Sequence, residues 1–186
     1  MTNIQHTADV KPNFKWIFQT ASRTLAFGFG SGLSPEAPGT AGTLWAWAAF
    51  LLGEYFLSTE DFLWIIGGGI LLGCWICGHV SEELGKKDFG GIVWDEIVAF
   101  WLVLIFIMPT NIWMQVIAFA LFRFFDAAKP GPIGMIDRHF KNIVSDNNRR
   151  STYPQIIWRG FGIMVDDLAA AFCTLLVMAL IQFLIR

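Results

Sequence analysis

The chain has 186 residues, of which 55% are hydrophobic and 15% charged, with a formal net charge of −2. A soluble domain carries roughly 25% charge, so this composition excludes an ordinary soluble domain and reads as an integral membrane protein. No block of like charge points to nucleic acid, and 186 residues make one domain the default expectation.

In chain order, the polar start Met1–Trp16 lacks the basic stretch, apolar run and small-residue site of a cleavable signal peptide. Residues 13–27 are expected to form a short interfacial helix, because Lys15, Trp16 and Phe18 suit a headgroup region. Residues 1–27 are thus read as a polar, interfacial segment ahead of a membrane domain over 28–186. The stretch 28–42 is dense in Gly and Pro, and no regular element is expected there. It has no Lys after its glycines and is not a P-loop.

Five apolar segments follow, at about 41–57, 62–79, 92–108, 111–126 and 163–185. A helix crossing the hydrocarbon takes ~20 residues, and only the last segment is clearly long enough. Met108-Pro109-Thr110-Asn111 makes a turn, so the third and fourth segments read as a helical hairpin. Residues 127–160 read as the one long polar loop. The expected fold is therefore all-α, a compact membrane bundle of about four to five embedded helices. Cys74, Cys77 and Cys173 lie in apolar runs and read as inert small hydrophobes. His79 and His139 are expected at the interface or in solvent, and Glu54 near the far end of the first segment. Asp137 is equally a loop cap or a ligand.

Tracking the spans from one side of the membrane to the other brings distant acids together. With five spans, Asp95-Glu96, Asp126 and Asp166-Asp167 all fall at helix ends on the N-terminal side. Twelve of the 13 Lys and Arg residues fall on that side too, leaving only Arg186 opposite. The positive-inside rule makes that side the cytoplasm.

A carboxylate near hydrocarbon depth costs on the order of 2.5–3.5 kcal/mol, and the usual offset is a cation. Arg123, Asp126 and Lys129 follow one another at i, i+3 and i+6 on a helical stripe. Oxygen ligands without Cys or a His group select Mg²⁺, Ca²⁺ or Mn²⁺ over Zn²⁺. An Arg and a Lys beside such a site suit a phosphoryl group, whose transition state spreads charge over its oxygens. Backbone N–H groups of the Gly-rich stretch 28–42 are candidates for the same phosphate. Lys141, Arg149 and Arg150 read as headgroup contacts.

These residues occur in motifs. Phe29-Gly30-Ser31-Gly32-Leu33-Ser34-Pro35 stands with Pro38-Gly39-Thr40, and Val93-Trp94-Asp95-Glu96 comes next. Phe122-Arg123-Phe124-Phe125-Asp126 with Lys129-Pro130 and Pro132 follows, and Gly162-Ile163-Met164-Val165-Asp166-Asp167 completes the set. In this order, over residues 28–171, they resemble the phosphatidylglycerophosphatase A family of bacterial membrane lipid phosphatases. The resemblance implies Mg²⁺-dependent hydrolysis of the terminal phosphate of phosphatidylglycerophosphate, at the cytoplasmic face of the inner membrane. It also implies that Asp95, Glu96, Asp126, Asp166 and Asp167 make the metal and catalytic site. Arg123, Lys129, Ser31, Ser34 and Thr40 are implied to lie near phosphate. The chain departs from the family pattern at Ala99 and Ala171, where the family has Gly, and at Arg159-Gly160-Phe161-Gly162; its loop 138–159 is also longer. Two competing readings stand beside this one. A cation or proton transporter would use interfacial carboxylates, but these acids crowd one face. A phosphotransferase acting on nucleotide-activated lipids would need a longer Asp-rich signature than this chain has.

Overall fold

A computed structural model describes residues 11–86, 89–129 and 153–185. Among these residues the protein is all-helical, with no strand. Two short helices, α1 (Phe14–Ile17) and α2 (Ala21–Ala26), lead into a 3-10 turn at Gly28–Leu33. Five longer helices follow: α3 (Pro38–Gly53), α4 (Thr59–Glu83), α5 (Trp94–Ile107), α6 (Ile112–Ala128) and α7 (Tyr153–Ile185).

Local chemistry sets these boundaries. Pro38 starts α3, where its missing N–H costs nothing. Ser58 and Asp61 form a capping box on α4: the Asp61 backbone N–H donates to the Ser58 hydroxyl, and the Ser58 N–H donates to the Asp61 carboxylate. Asn111 accepts from Met114 N–H and caps α6. Lys129 closes α6 in the left-handed region, at φ 41° and ψ 54°, with its N–H on the Phe125 carbonyl.

The bundle is organised around α5. Ile97, Val98, Ala99, Phe100, Val103 and Leu104 are all fully buried, and a helix apolar all round belongs in the middle of a structure. Helices α3, α4, α6 and α7 surround it. Indole N–H groups tie it in, Trp94 to the Gly69 carbonyl at 3.0 Å and Trp101 to the Ala46 carbonyl at 2.8 Å. Helices α4 and α7 cross backbone to backbone, because a Cβ on Gly160 would overlap the Cys74 carbonyl and one on Gly78 the Ile156 carbonyl.

Two helices, α4 with 25 residues and α7 with 33, are long and apolar enough to cross a membrane. Helices α3, α5 and α6 have 16, 14 and 17 residues. At 1.5 Å per residue they reach about 21–26 Å, against a hydrocarbon core of about 30 Å. The expected four to five spans thus reduce to two helices of spanning length, with α5 enclosed among its neighbours.

Several local expectations are corrected. The stretch 28–42 is not irregular throughout: Gly28–Leu33 forms the 3-10 turn, and Pro38 onward is the first turn of α3. Residues 127–160 are not all loop, since 127–128 end α6 and 153–160 begin α7. Asp166-Asp167 therefore lies well inside α7 rather than at a helix end, and gains nothing from that helix's N-terminal dipole. In place of one interfacial helix, residues 13–27 form α1 and α2. These expose Phe14 and Phe18 but bury Ile17, Ala26 and Phe27. The Val93 N–H donates to the Ala26 carbonyl at 2.8 Å, docking this segment on the start of α5. Asp137, Arg138, His139, Lys141, Arg149, Arg150, Pro130 and Pro132 lie outside the described residues.

Candidate active site

Four helices meet at the acids. Asp95 and Glu96 occupy the first turn of α5, and Arg123 and Asp126 the last turns of α6. Asp166 and Asp167 come from the middle of α7, and the first turn of α3 covers the group from the remaining side. Crowding sets that approach. A Cβ on Gly39 would overlap Glu96 Oε1 and stand 2.8 Å from Arg123 Nη2. Only glycine lets α3 come this close.

The charges are divided unevenly. Arg123 Nη1 lies 2.9 Å from Glu96 Oε1 and 2.6 Å from Asp126 Oδ2, bridging α5 and α6. Lys129 Nζ lies 2.9 Å from Asp166 Oδ2, bridging α6 and α7. The left-handed turn at Lys129 is what places its side chain at this point, a backbone state uncommon for a residue with a Cβ. Asp95 and Asp167 are over nine-tenths buried. Neither forms an ion pair among the described residues, and Asp95 Oδ1 and Asp167 Oδ2 have no hydrogen-bond partner there.

Carboxylate oxygens of Glu96, Asp126 and Asp167 lie within 4.8 Å of one another. Three carboxylates this close repel one another unless a proton or a cation lies between them. The donor set is all oxygen, Glu96 and Asp126 are partly buried and Asp167 is buried, and Asp167 Oδ2 is enclosed with no hydrogen-bond partner among the described residues. It therefore fits a hard divalent cation.

The remaining expected residues are placed as follows. The Ser31 hydroxyl donates to the Gly28 carbonyl at 2.8 Å within its own turn. Ser34 follows that turn, with its N–H on the Ser31 carbonyl. Thr40 sits in the first turn of α3 beside Gly39. Arg159, expected in the loop, is on α7 and pairs with Glu82 of α4 at 2.6 Å. His79 stacks on Trp75 and stands 3.5 Å from Glu83. Glu54 is exposed beyond the end of α3, away from the acids.

Two residues of the site are not apparent from sequence. Gly39 belongs to a motif, but nothing in the motif marks it as the contact point for Glu96 and Arg123. Thr43, fully buried one turn later, donates to the Gly39 carbonyl at 2.8 Å and lies 3.5 Å from Arg123 Nη1. The i, i+4 spacing from Gly39 to Thr43 is the only signal for it. That signal is weak, because a Thr in any apolar helix can bond the carbonyl four residues back.

The chain is similar to known proteins over most of its length. The family model described as phosphatidylglycerophosphatase A matches residues 24–145, which carry Asp95, Glu96, Arg123 and Asp126 but stop before Asp166. A phosphatidylglycerophosphatase A of Haemophilus influenzae is 41% identical over 86% of this chain and 87% of its own length. One of Escherichia coli is 38% identical over 78% of this chain and 74% of its own. A putative phosphatidylinositol-3-phosphatase of Bacteroides thetaiotaomicron is 32% identical over 87% and 93%. No solved structure matches the chain. With a family model over most of its length and relatives at this identity, the chain belongs to the phosphatidylglycerophosphatase A family and is a phosphoric monoester hydrolase.

Proposed function

We propose that this protein hydrolyses the terminal phosphate of phosphatidylglycerophosphate to give phosphatidylglycerol, with Mg²⁺ as cofactor, at the cytoplasmic face of the bacterial inner membrane. The observation that carries the reading is the convergence of Glu96, Asp126 and Asp167 within 4.8 Å, beside Arg123. Relatives named for this activity support the substrate class. They lend no support to a cation transporter.

Glu96, Asp126 and Asp167 would hold the metal, with Asp95 beside them. When bound, Mg²⁺ supplies Lewis-acid polarisation of a phosphoryl oxygen. Arg123 sits at the junction of α3, α5 and α6 and orients the phosphate by the N–H groups of its planar guanidinium. Lys129 adds a second positive charge from the α6–α7 side. The first turn of α3 adds N–H groups of Gly39 and Thr40, which have no earlier helical carbonyl to bind. Ser31, Ser34 and Thr40 contribute hydroxyls near the same anion, and Ser31 would give up its bond to Gly28 to do so. A water oxygen adds to phosphorus as the ester P–O bond to the lipid breaks. One carboxylate of the cluster takes the water's proton and passes it to the departing lipid oxygen, which leaves as an alcohol.

Four to five helices embedded in the bilayer, with α5 enclosed among α3, α4, α6 and α7, would set this site where the headgroups begin. A phosphate fixed to a lipid can be reached only there. The test is phosphate release by the purified full chain from phosphatidylglycerophosphate, phosphatidic acid, phosphatidylinositol 3-phosphate and a water-soluble phosphate ester. Release from phosphatidylglycerophosphate, abolished by chelator and restored by Mg²⁺, is expected. Full release in excess chelator would remove Mg²⁺ from the reading, and a preference for phosphatidylinositol 3-phosphate would replace the substrate.

A further inference from the structure

Resting on the metal reading above, we infer that the site takes a second divalent cation, held by Asp95 and Asp167. The argument is one of charge and burial. Five carboxylates, Asp95, Glu96, Asp126, Asp166 and Asp167, face one guanidinium and one ammonium among the described residues. That leaves a formal excess of three negative charges, before a phosphate monoester adds about two more. A single divalent cation leaves the loaded site as negative as it was when empty. A second brings it close to neutral.

The excess is also localised. Arg123 serves Glu96 and Asp126, and Lys129 serves Asp166. Asp95 and Asp167 have no basic partner among the described residues, and they are deeply buried, at 8% and 4% exposure. Each also keeps an enclosed oxygen without a hydrogen bond, Oδ1 and Oδ2 respectively. Asp167 also belongs to the trio of carboxylates whose oxygens lie within 4.8 Å of one another, and its enclosed Oδ2 has no hydrogen bond, so one oxygen is left to reach a further ion. Mg²⁺ ordinarily binds through one or two carboxylates and fills its remaining positions with water or phosphate oxygens. Asp95 and Asp167 therefore suffice for the second ion. Paired cations serve phosphoryl transfer by stabilising both the attacking and the leaving oxygen.

Mn²⁺ takes the same oxygen ligands and reports on its neighbours by electron paramagnetic resonance. The full chain, purified in detergent, is equilibrated with Mn²⁺ and freed of excess. Bound Mn²⁺ is expected at about two ions per chain, with the spectrum of a spin-coupled pair. Asp95→Asn is expected to halve the bound Mn²⁺ and leave the spectrum of an isolated ion. Stoichiometry and coupling in the unaltered chain decide the matter even if the variant does not fold. One ion per unaltered chain, or two uncoupled ions unaffected by Asp95→Asn, overturns the second site and leaves the proposed reaction standing. Phosphate release in excess chelator, measured separately, would overturn the metal reading beneath it.

Discussion

Arg123 and Glu96 are 27 residues apart in the chain, yet Nη1 and Oε1 lie 2.9 Å apart, with the Gly39 turn of α3 packed against both. One guanidinium thereby joins the end of α6 to the start of α5, and its position is set by a third helix. It holds the positive pole of the site among carboxylates, so changes at it or beside it should be costly.

Arg123→Lys keeps the charge but loses the planar fork. Phosphate release is expected to fall ~100-fold or more, the scale of removing a positioned transition-state partner. Steady-state kinetics on phosphatidylglycerophosphate would check this, and a rate within about threefold of the parent would show that charge alone suffices.

Gly39→Ala would push a methyl into the Glu96 carboxylate and against Arg123. Activity should drop at least ~10-fold, since a misplacement of about 1 Å can cost still more. Gly67 is a built-in contrast. It lies mid-helix in α4 with nothing near its Cβ direction, so Gly67→Ala should stabilise by roughly 0.5–1 kcal/mol and spare activity. Thermal unfolding in detergent and phosphate release, run on both variants, separate the two effects.

Gly160→Ala tests the α4–α7 crossing. Its methyl would meet the Cys74 carbonyl, which belongs to helix backbone and cannot swing aside. Overpacking of this kind typically costs about 1–3 kcal/mol, so the melting temperature should fall. An unchanged melting temperature would mean that the helices separate more easily than this contact implies.

Lys129→Ala removes an ion-pair partner of a buried Asp166. Breaking a buried pair from one side typically costs about 3–5 kcal/mol. Asp166→Asn added to Lys129→Ala should recover much of that loss, because no charge is then stranded. A double-mutant cycle on chemical denaturation measures the coupling, and additive losses would show that the pair is solvent-screened.

Asp126→Asn should lower phosphate release ~100-fold or more. It removes charge from the trio of carboxylates that lie within 4.8 Å of one another, with Arg123 alongside. A variant with near-parental rate would return Asp126 to a purely structural ion pair.

Composition and motif order alone determined that the chain is helical and apolar, and which acids and bases stand out as candidates. Long apolar runs leave backbone groups no partner but their own helix, and charges that costly stand out against them. The family was legible for the same reason, since its motifs are runs of charged and small residues in fixed order. Tertiary structure decided what spacing cannot encode. Residues 153–160 became helix because Arg159 finds Glu82 and Gly160 fits against α4, contacts invisible in a stretch that reads as polar loop. The short apolar run of α5 is enclosed in the bundle, while α3 and α6 keep an exposed apolar face and only α4 and α7 have spanning length. Above all, the sequence presented five similar acids, and only packing made them unlike. Three sit against Arg123 or Lys129, while Asp95 and Asp167 are buried with no ion pair among the described residues, a division that follows from which helix brings each side chain to the cluster and not from residue type.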